Sequence, residues 1–529
     1  MIIGTRRRPV LAATALAIAM LLTGCAGAAG PAGPAGGEPV RGGTAVIGTP
    51  VDPGCIDPHQ LQQRAMLSIT RQVTDSLVHQ DTDTGRIEPW LAEWTVGPDG
   101  RSYTFDLRDD VTFSDGTPLT AEVVKGNIDA VLEMGARAIV AGPYLRNVQE
   151  VTVDAPDRVT IALAEPDAQL LQGLSTPSLG IVGAATLAGS PDDRCRGGIV
   201  GTGPFTLTDF VSGQRVELAR RDGYAWAPAA FANQGEAHLD TVEFRQFPDA
   251  SVRLGSLLSN QIDLTVEMQP QDIAQAEAAG MTPVLRPNPG FTNSLFVNAD
   301  RAPLDDPAIR EALQVGFDRA VVVPTALDVT DIPSTAVLSS TTPMYTDMAD
   351  RLGFDAARAT QALDEAGWVP GPDGVRVRDG QRASFDVMYF TPIYLLYVPL
   401  LELMRQQYGE IGIEMNLEPV PLAVGTERQR NLDFDARMSG LTRADPGVLE
   451  SQIYRGDDEL NAVLTAQRQA TDEDRRQELV DEASGMILDR GYNIPIHELI
   501  LPMAANPRVQ GVELDATNGL LLSGLWRAG

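Results

Sequence analysis

Histidine, cysteine and paired carboxylates are the side chains with which a chain of this size would do chemistry, and their placement here argues against catalysis. His59, His79, His238 and His497 are the four histidines, and no two stand at the three- or four-residue helical spacing that lets imidazoles share a zinc ion. No Gly-x-Ser-x-Gly elbow exposes an activated serine. The 71 carboxylates are too many for any one pair to be singled out as acid and base. Gly201-Thr202-Gly203-Pro204-Phe205 has two glycines of a dinucleotide loop, but Pro204 and Phe205 break the pattern and a strand-like run follows, so it reads as a turn. Lys125 is the single lysine among 41 basic residues and lies in no P-loop. Neither an enzyme nor a cofactor is expected.

The third kind of chemistry is covalent and lies at the amino terminus. Arg6, Arg7 and Arg8 precede an apolar run over residues 10–22, which ends in Leu22-Thr23-Gly24-Cys25. Charge, then apolar residues, then a small-residue cut site is the order of a secretory signal. The run is shorter than the roughly 20 residues that cross a bilayer. Residues 22–25 resemble the bacterial lipobox, which implies cleavage after residue 24 and a lipid on Cys25. In that oxidising setting the remaining pair, Cys55 and Cys195, is expected to form a disulfide. Residues 25–40 are then a tether of Gly, Ala and Pro with almost no bulky side chain. The net charge of -30 leaves no basic surface for nucleic acid or anionic lipid.

The elements that position any site alternate between strand and helix. Tyr103, Phe105 and Leu107 alternate with polar residues as one strand face, and Val151 and Val153 pair across a turn with Val159, Ile161 and Leu163. Thr120 is placed to cap a helix whose inner face carries Val124, Ile128, Val131 and Leu132. Asp306 and Pro307 start a second helix, with Ile309, Ala312, Leu313, Gly316 and Phe317 inward. Thr471 starts a third, with Leu479, Ala483, Met486 and Ile487 inward. At 529 residues the chain needs two or three packed lobes of α/β type.

Several blocks recur in a telling order: Arg41-Gly42-Gly43-Thr44, Ile56-Asp57-Pro58-His59, residues 87–94, Tyr103 to Arg108, residues 111–121, Gly201 to Phe205, Asp318-Arg319, and Ala362 to Trp368. Together they resemble the extracellular solute-binding proteins of family 5, the oligopeptide, dipeptide and nickel-chelate receptors of ABC importers. The resemblance implies a type II periplasmic-binding-protein fold: two lobes joined by a hinge, with an extra subdomain in lobe one. Lobe one is expected over 41–289, lobe two over 290–499, and residues 500–529 return to lobe one. The implied protein is a monomer, lipid-anchored outside the cytoplasm, that captures a small organic solute between its lobes and delivers it to permease subunits. A regulator or scaffold of the cell envelope built on the same fold is the alternative.

Two loops depart from the peptide-binding pattern. Where dipeptide receptors place an aspartate for the peptide's amino group, this chain has Thr442, followed by Arg443, Ala444, Asp445 and Pro446. Where they place an arginine for the carboxylate, the run from Tyr389 continues through Phe390 to Tyr394 and Tyr397. The implied ligand is either less charged than a free peptide or anionic and paired with Arg443, for which a local ion pair with Asp445 is the competing role. Tyr389, Tyr394 and Tyr397 are candidates to stack on it, and Thr442 and Asp445 are ligand candidates beside Arg443. Phe291 and Asn293 fall where the lobes cross, and His59 and His497 are the loose candidates for a metal chelate.

Overall fold

Gly290–Val297 is buried at every position, with Leu295 and Val297 entering one core and Phe291 and Phe296 another. A strand buried on both faces needs helices on both sides of its sheet. The computed structural model describes residues 37–528 apart from 53, 61–63, 328–331, 392 and 452–455. Cys25, the signal segment and most of the tether therefore lie outside the described residues. Among the described residues the sheet runs Ile332–Pro333, Asn493–Glu498, Gly290–Val297, Ala436–Thr442, Ser384–Thr391, Glu414–Pro421. Helices Pro307–Val315, Ala356–Glu365 and Val398–Glu410 pack on the first core, and Asp458–Gln469 and Glu473–Asp489 on the second.

A second large sheet runs Thr282–Val284, Met503–Ala505, Leu264–Thr265, Thr44–Thr49, Thr241–Gln246, Arg215–Arg220, Phe205–Val211. A smaller one, Ala92–Val96, Ser102–Leu107, Arg158–Leu163, Val148–Ala155, carries helix Ala121–Met134 and its own core around Phe105, Val124 and Ile161. These are two lobes of mixed sheet and helix with an added subdomain. The chain passes between the large sheets at residues 285–289 and returns at 499–502, and the two passages are paired: Asn288 N donates to Leu499 O at 2.7 Å, and Pro287 bridges Ile500. Asn518 fixes the first passage by donating to the carbonyls of Arg286 and Pro287.

Local chemistry explains most of these elements. Asp306 caps its helix by accepting from Ala308 N at 2.9 Å, with Pro307 in the first turn. The helix ends at Val315, so Phe317 is buried from the loop beyond it. Thr120 occupies the cap position of Ala121–Met134 without a side-chain bond, and Leu132 faces outward at 41% exposure, unlike Val124, Ile128 and Val131. The cap of Glu473–Asp489 is Asp472, one residue after Thr471. At Gly201-Thr202-Gly203 a Cβ on either glycine would lie within 2.6 Å of the backbone of residues 72 and 73, so this turn needs glycine for close approach. Cys55 and Cys195 form a disulfide.

Candidate functional site

Strand Ser384–Thr391 delivers the chain into a turn that carries two half-buried tyrosines before helix Val398–Glu410 begins. Tyr394 N donates back to Phe390 O at 2.8 Å and Tyr397 N to Tyr394 O at 3.0 Å, which curls the turn and sets the two rings 5.9 Å apart. Tyr394 Oη accepts from Gly440 N at 3.3 Å, tying the turn to the neighbouring strand. The Tyr397 ring lies 5.0 Å from that of His497. His497 is fully buried, with Nδ1 at 3.0 Å from Glu498 O and Nε2 at 3.1 Å from Asn293 Nδ2. With the hydrogen on Nδ1, the ring donates to Glu498 O and accepts from Asn293 Nδ2. Tyr394, Tyr397, His497 and Asn293 thus form one continuous run of contacts behind the tyrosine wall, of which Tyr397 alone lines a cavity.

That cavity, of about 600 Å³, lies at the passages between the lobes. Lobe one contributes Pro50, Pro248, Arg253 and residues 267–270, the returning passage Ile500, Leu501 and Pro502, and the tyrosine turn Ile393, Leu395 and Leu396. The volume falls within the range of small-molecule sites.

The 442–445 loop takes another direction. Thr442 sits opposite Gly290 in the sheet, and its Oγ1 accepts from Asn288 Nδ2 at 3.2 Å. Arg443 N donates to Pro289 O, and its guanidinium lies 5.1 Å over the ring of Tyr144 in the subdomain. Burial raises the Tyr144 pKa, and Arg443 opposes that shift. Asp445 is not paired with Arg443: it is buried, holds Arg476 through both oxygens at 2.7 and 3.0 Å, and caps the turn Pro446–Glu450 by accepting from Gly447 N. This loop ties lobe two to the subdomain, since Ala444 O also accepts from Gln80 Nε2 at 2.7 Å.

Three further candidates lie within packing. Tyr389 belongs to the core beneath Val398–Glu410, and Phe291 packs edge-on against Phe296 at 5.2 Å. His59 sits in a separate buried network of lobe one, with Nε2 at 3.2 Å from Gly180 O and Nδ1 at 2.7 Å from Arg194, which also pairs with Asp57. Burial, with Arg194 assisting against Asp57, lowers its pKa to about 4. Among the described residues no group of three or more His, Cys, Asp or Glu is placed to hold a metal ion. Sequence reasoning missed the lobe-one wall of the cavity, whose residues lie far apart in the chain and carry no motif.

Residues 86–453 match the bacterial extracellular solute-binding proteins, family 5. Protein XP55 of Streptomyces lividans is 30% identical over 423 residues, covering 77% of this chain and 72% of its own length. The nickel-binding periplasmic protein of Escherichia coli is 24% identical over 500 residues, 88% of this chain and 90% of that one. Among solved structures, NikA from Brucella suis in complex with Fe(III)-EDTA superposes with a TM-score of 0.80 at 25% identity, over 92% of this chain and all of that one. No described helix is long and apolar enough to cross a membrane. With the two-lobed fold and a cavity at the passages between the lobes, these matches show that the chain belongs to family 5 of the bacterial extracellular solute-binding proteins, a family of binders and not of enzymes.

Proposed function

We propose that this protein is a lipid-anchored substrate-binding protein of an ABC importer, which captures a small organic solute, peptide or peptide-like, in the cleft between its lobes and delivers it to a membrane permease. The observation that carries this reading is the cavity of about 600 Å³ where the two passages, both lobes and the tyrosine turn meet. We take 41–289 with 500–529 as one lobe and 290–499 as the other, closing about residues 285–290 and 499–502. Closure then presents the permease with a surface that only the loaded monomer displays. Cys25 supplies the anchor and residues 25–40 the reach.

The tyrosine wall supports a ligand held by ring contact and a few hydrogen bonds. The Asp445–Arg476 pair supports one that does not bring a free amino terminus to that loop. The test is native mass spectrometry of the protein purified gently from its own source, with thermal-shift screening of peptides and metabolite pools. A co-purified small molecule that raises Tm on re-addition is the expected result. Repeated absence of any bound molecule, with no shift across the pools, sinks the receptor reading in favour of an envelope scaffold.

A further inference from the structure

The charges around the cleft are engaged within the protein, while its apolar side chains are not covered. Arg253 lines the cavity but is 2% exposed, and its Nη1 and Nη2 donate to the carbonyls of Phe247 and Glu267 at 2.7 and 2.9 Å. Glu267, whose backbone carbonyl takes one of these bonds, is the one carboxylate among the described lining residues. Farther along, Arg443 stacks over Tyr144 and Asp445 holds Arg476. Ile393, Leu395 and Leu396, by contrast, are 53%, 52% and 41% exposed on the turn that overhangs the cavity. Pro248, Pro270 and Pro502 are among the residues lining the rest of it.

Resting on the receptor reading, we infer that the cleft selects a solute with an uncharged, apolar body, and that the turn at residues 393–396 is the specificity-determining surface that closes on it. An ionic ligand would bring its charge into a lining whose one cation among the described residues is 2% exposed and turned onto backbone carbonyls, which is unfavourable in a closed site. An apolar body removes side chains from water on both walls, at about 25 cal/mol for each Å² covered. Neither Leu395 nor Leu396 is fixed in a core, so both are free to follow the ligand as the lobes close.

The test uses two fluorescent probes of like ring character, neutral N-phenyl-1-naphthylamine and anionic 8-anilinonaphthalene-1-sulfonate, titrated into the purified full chain. The neutral probe should saturate a single site, bind at least about tenfold tighter than the anion, and change affinity less than about twofold between low and high salt. In the Leu395→Ser, Leu396→Ser double variant, whose sites are exposed enough to leave the fold intact, its affinity should fall about tenfold or more. Equal or tighter binding of the anion, undiminished binding in the variant, or no saturable binding of the neutral probe overturns the inference. A charged solute found bound by native mass spectrometry would overturn it too, while leaving the receptor reading standing.

Discussion

Asp445 was a candidate for the ligand by position in the sequence, and its contacts make it a structural anion. Both its oxygens face the Arg476 guanidinium, and the side chains of the pair are 6% and 8% exposed. Removing one partner of such a pair strands the other charge out of water, so Asp445→Ala should lower unfolding stability by about 3 kcal/mol or more. Urea denaturation reads this directly, and a loss below about 0.5 kcal/mol would contradict the assignment. A second residue-scale effect concerns pH. His59 and His79 have pKa values lowered to about 4, each first by burial, and Asp75 has one raised to about 6 by burial against its bonds and charges from Trp226 and Arg71. The histidines keep their full contribution above pH 6.5 and lose it as pH falls toward 4, because the unfolded chain takes up the protons first. Asp75 acts in the opposite sense, since its contribution is complete below 3.8 and is lost as pH rises through 6. Among these three groups two oppose one, so their combined contribution should fall on acidification from pH 6.5 to 4 by about 1.4 kcal/mol per unit for the net proton. Replacing His59 with Gln should flatten that slope, and an unchanged slope would place the titration elsewhere.

At the scale of elements, Gly290 governs how the strand Gly290–Val297 meets the 441–443 loop. Its φ is +114°, and a Cβ there would lie 2.1 Å from Leu441 O and 2.7 Å from Arg443 N, both backbone atoms. Gly290→Ala must therefore strain the backbone and push the loop off its partners at once, for an expected loss of about 2 kcal/mol or more. Hydrogen exchange at Arg443 N, which donates to Pro289 O, should quicken in the same variant. Unaltered exchange and stability would show that the loop yields freely. Elements of this kind were only partly legible in the sequence. Alternation found the strands carrying Phe105 and Ile161, because one face of that small sheet meets a core and the other meets water. Tyr389 and Phe291 lie in cores because their sheet is covered on both faces, and a strand buried on both sides has no polar phase to read. Tyr397, which lines the cavity, follows the strand, where the alternation of sheet faces no longer applies. Arg476, 31 residues beyond Asp445, could not be found, since no spacing rule links a loop to a helix that folds back on it.

At the scale of the molecule, the subdomain and lobe two are joined by a charge cluster remote from the tyrosine wall. Arg468 on helix Asp458–Gln469 reaches Glu450 at 3.0 Å and Glu165 at 3.7 Å, Arg146 of the subdomain reaches Glu450 at 3.0 Å, and Ala168 N donates to Arg468 O. With Gln80 on Ala444 and Arg443 over Tyr144, these contacts join lobe two to the subdomain through residues that do not line the cavity. A binder whose closed form is favoured before ligand arrives gains apparent affinity in proportion to the population of that form. Arg468 and Glu450 are 13% and 11% exposed and act as a fixed pair, whereas Arg146 is 45% exposed, so its contact with Glu450 supplies about 0.2–1 kcal/mol and biases the equilibrium without locking it. Arg146→Ala should open the ligand-free protein, seen as a larger radius of gyration in solution scattering. It should also weaken the bound solute by about two- to fivefold, the range that one or two such pairs supply. High salt should shift the unaltered protein in the same direction and leave the variant nearly unmoved, because screening acts on the contact that the variant lacks. Equal scattering from both proteins at low salt would mean that the interface is a fixed joint and that closure is governed at residues 285–290 and 499–502 alone.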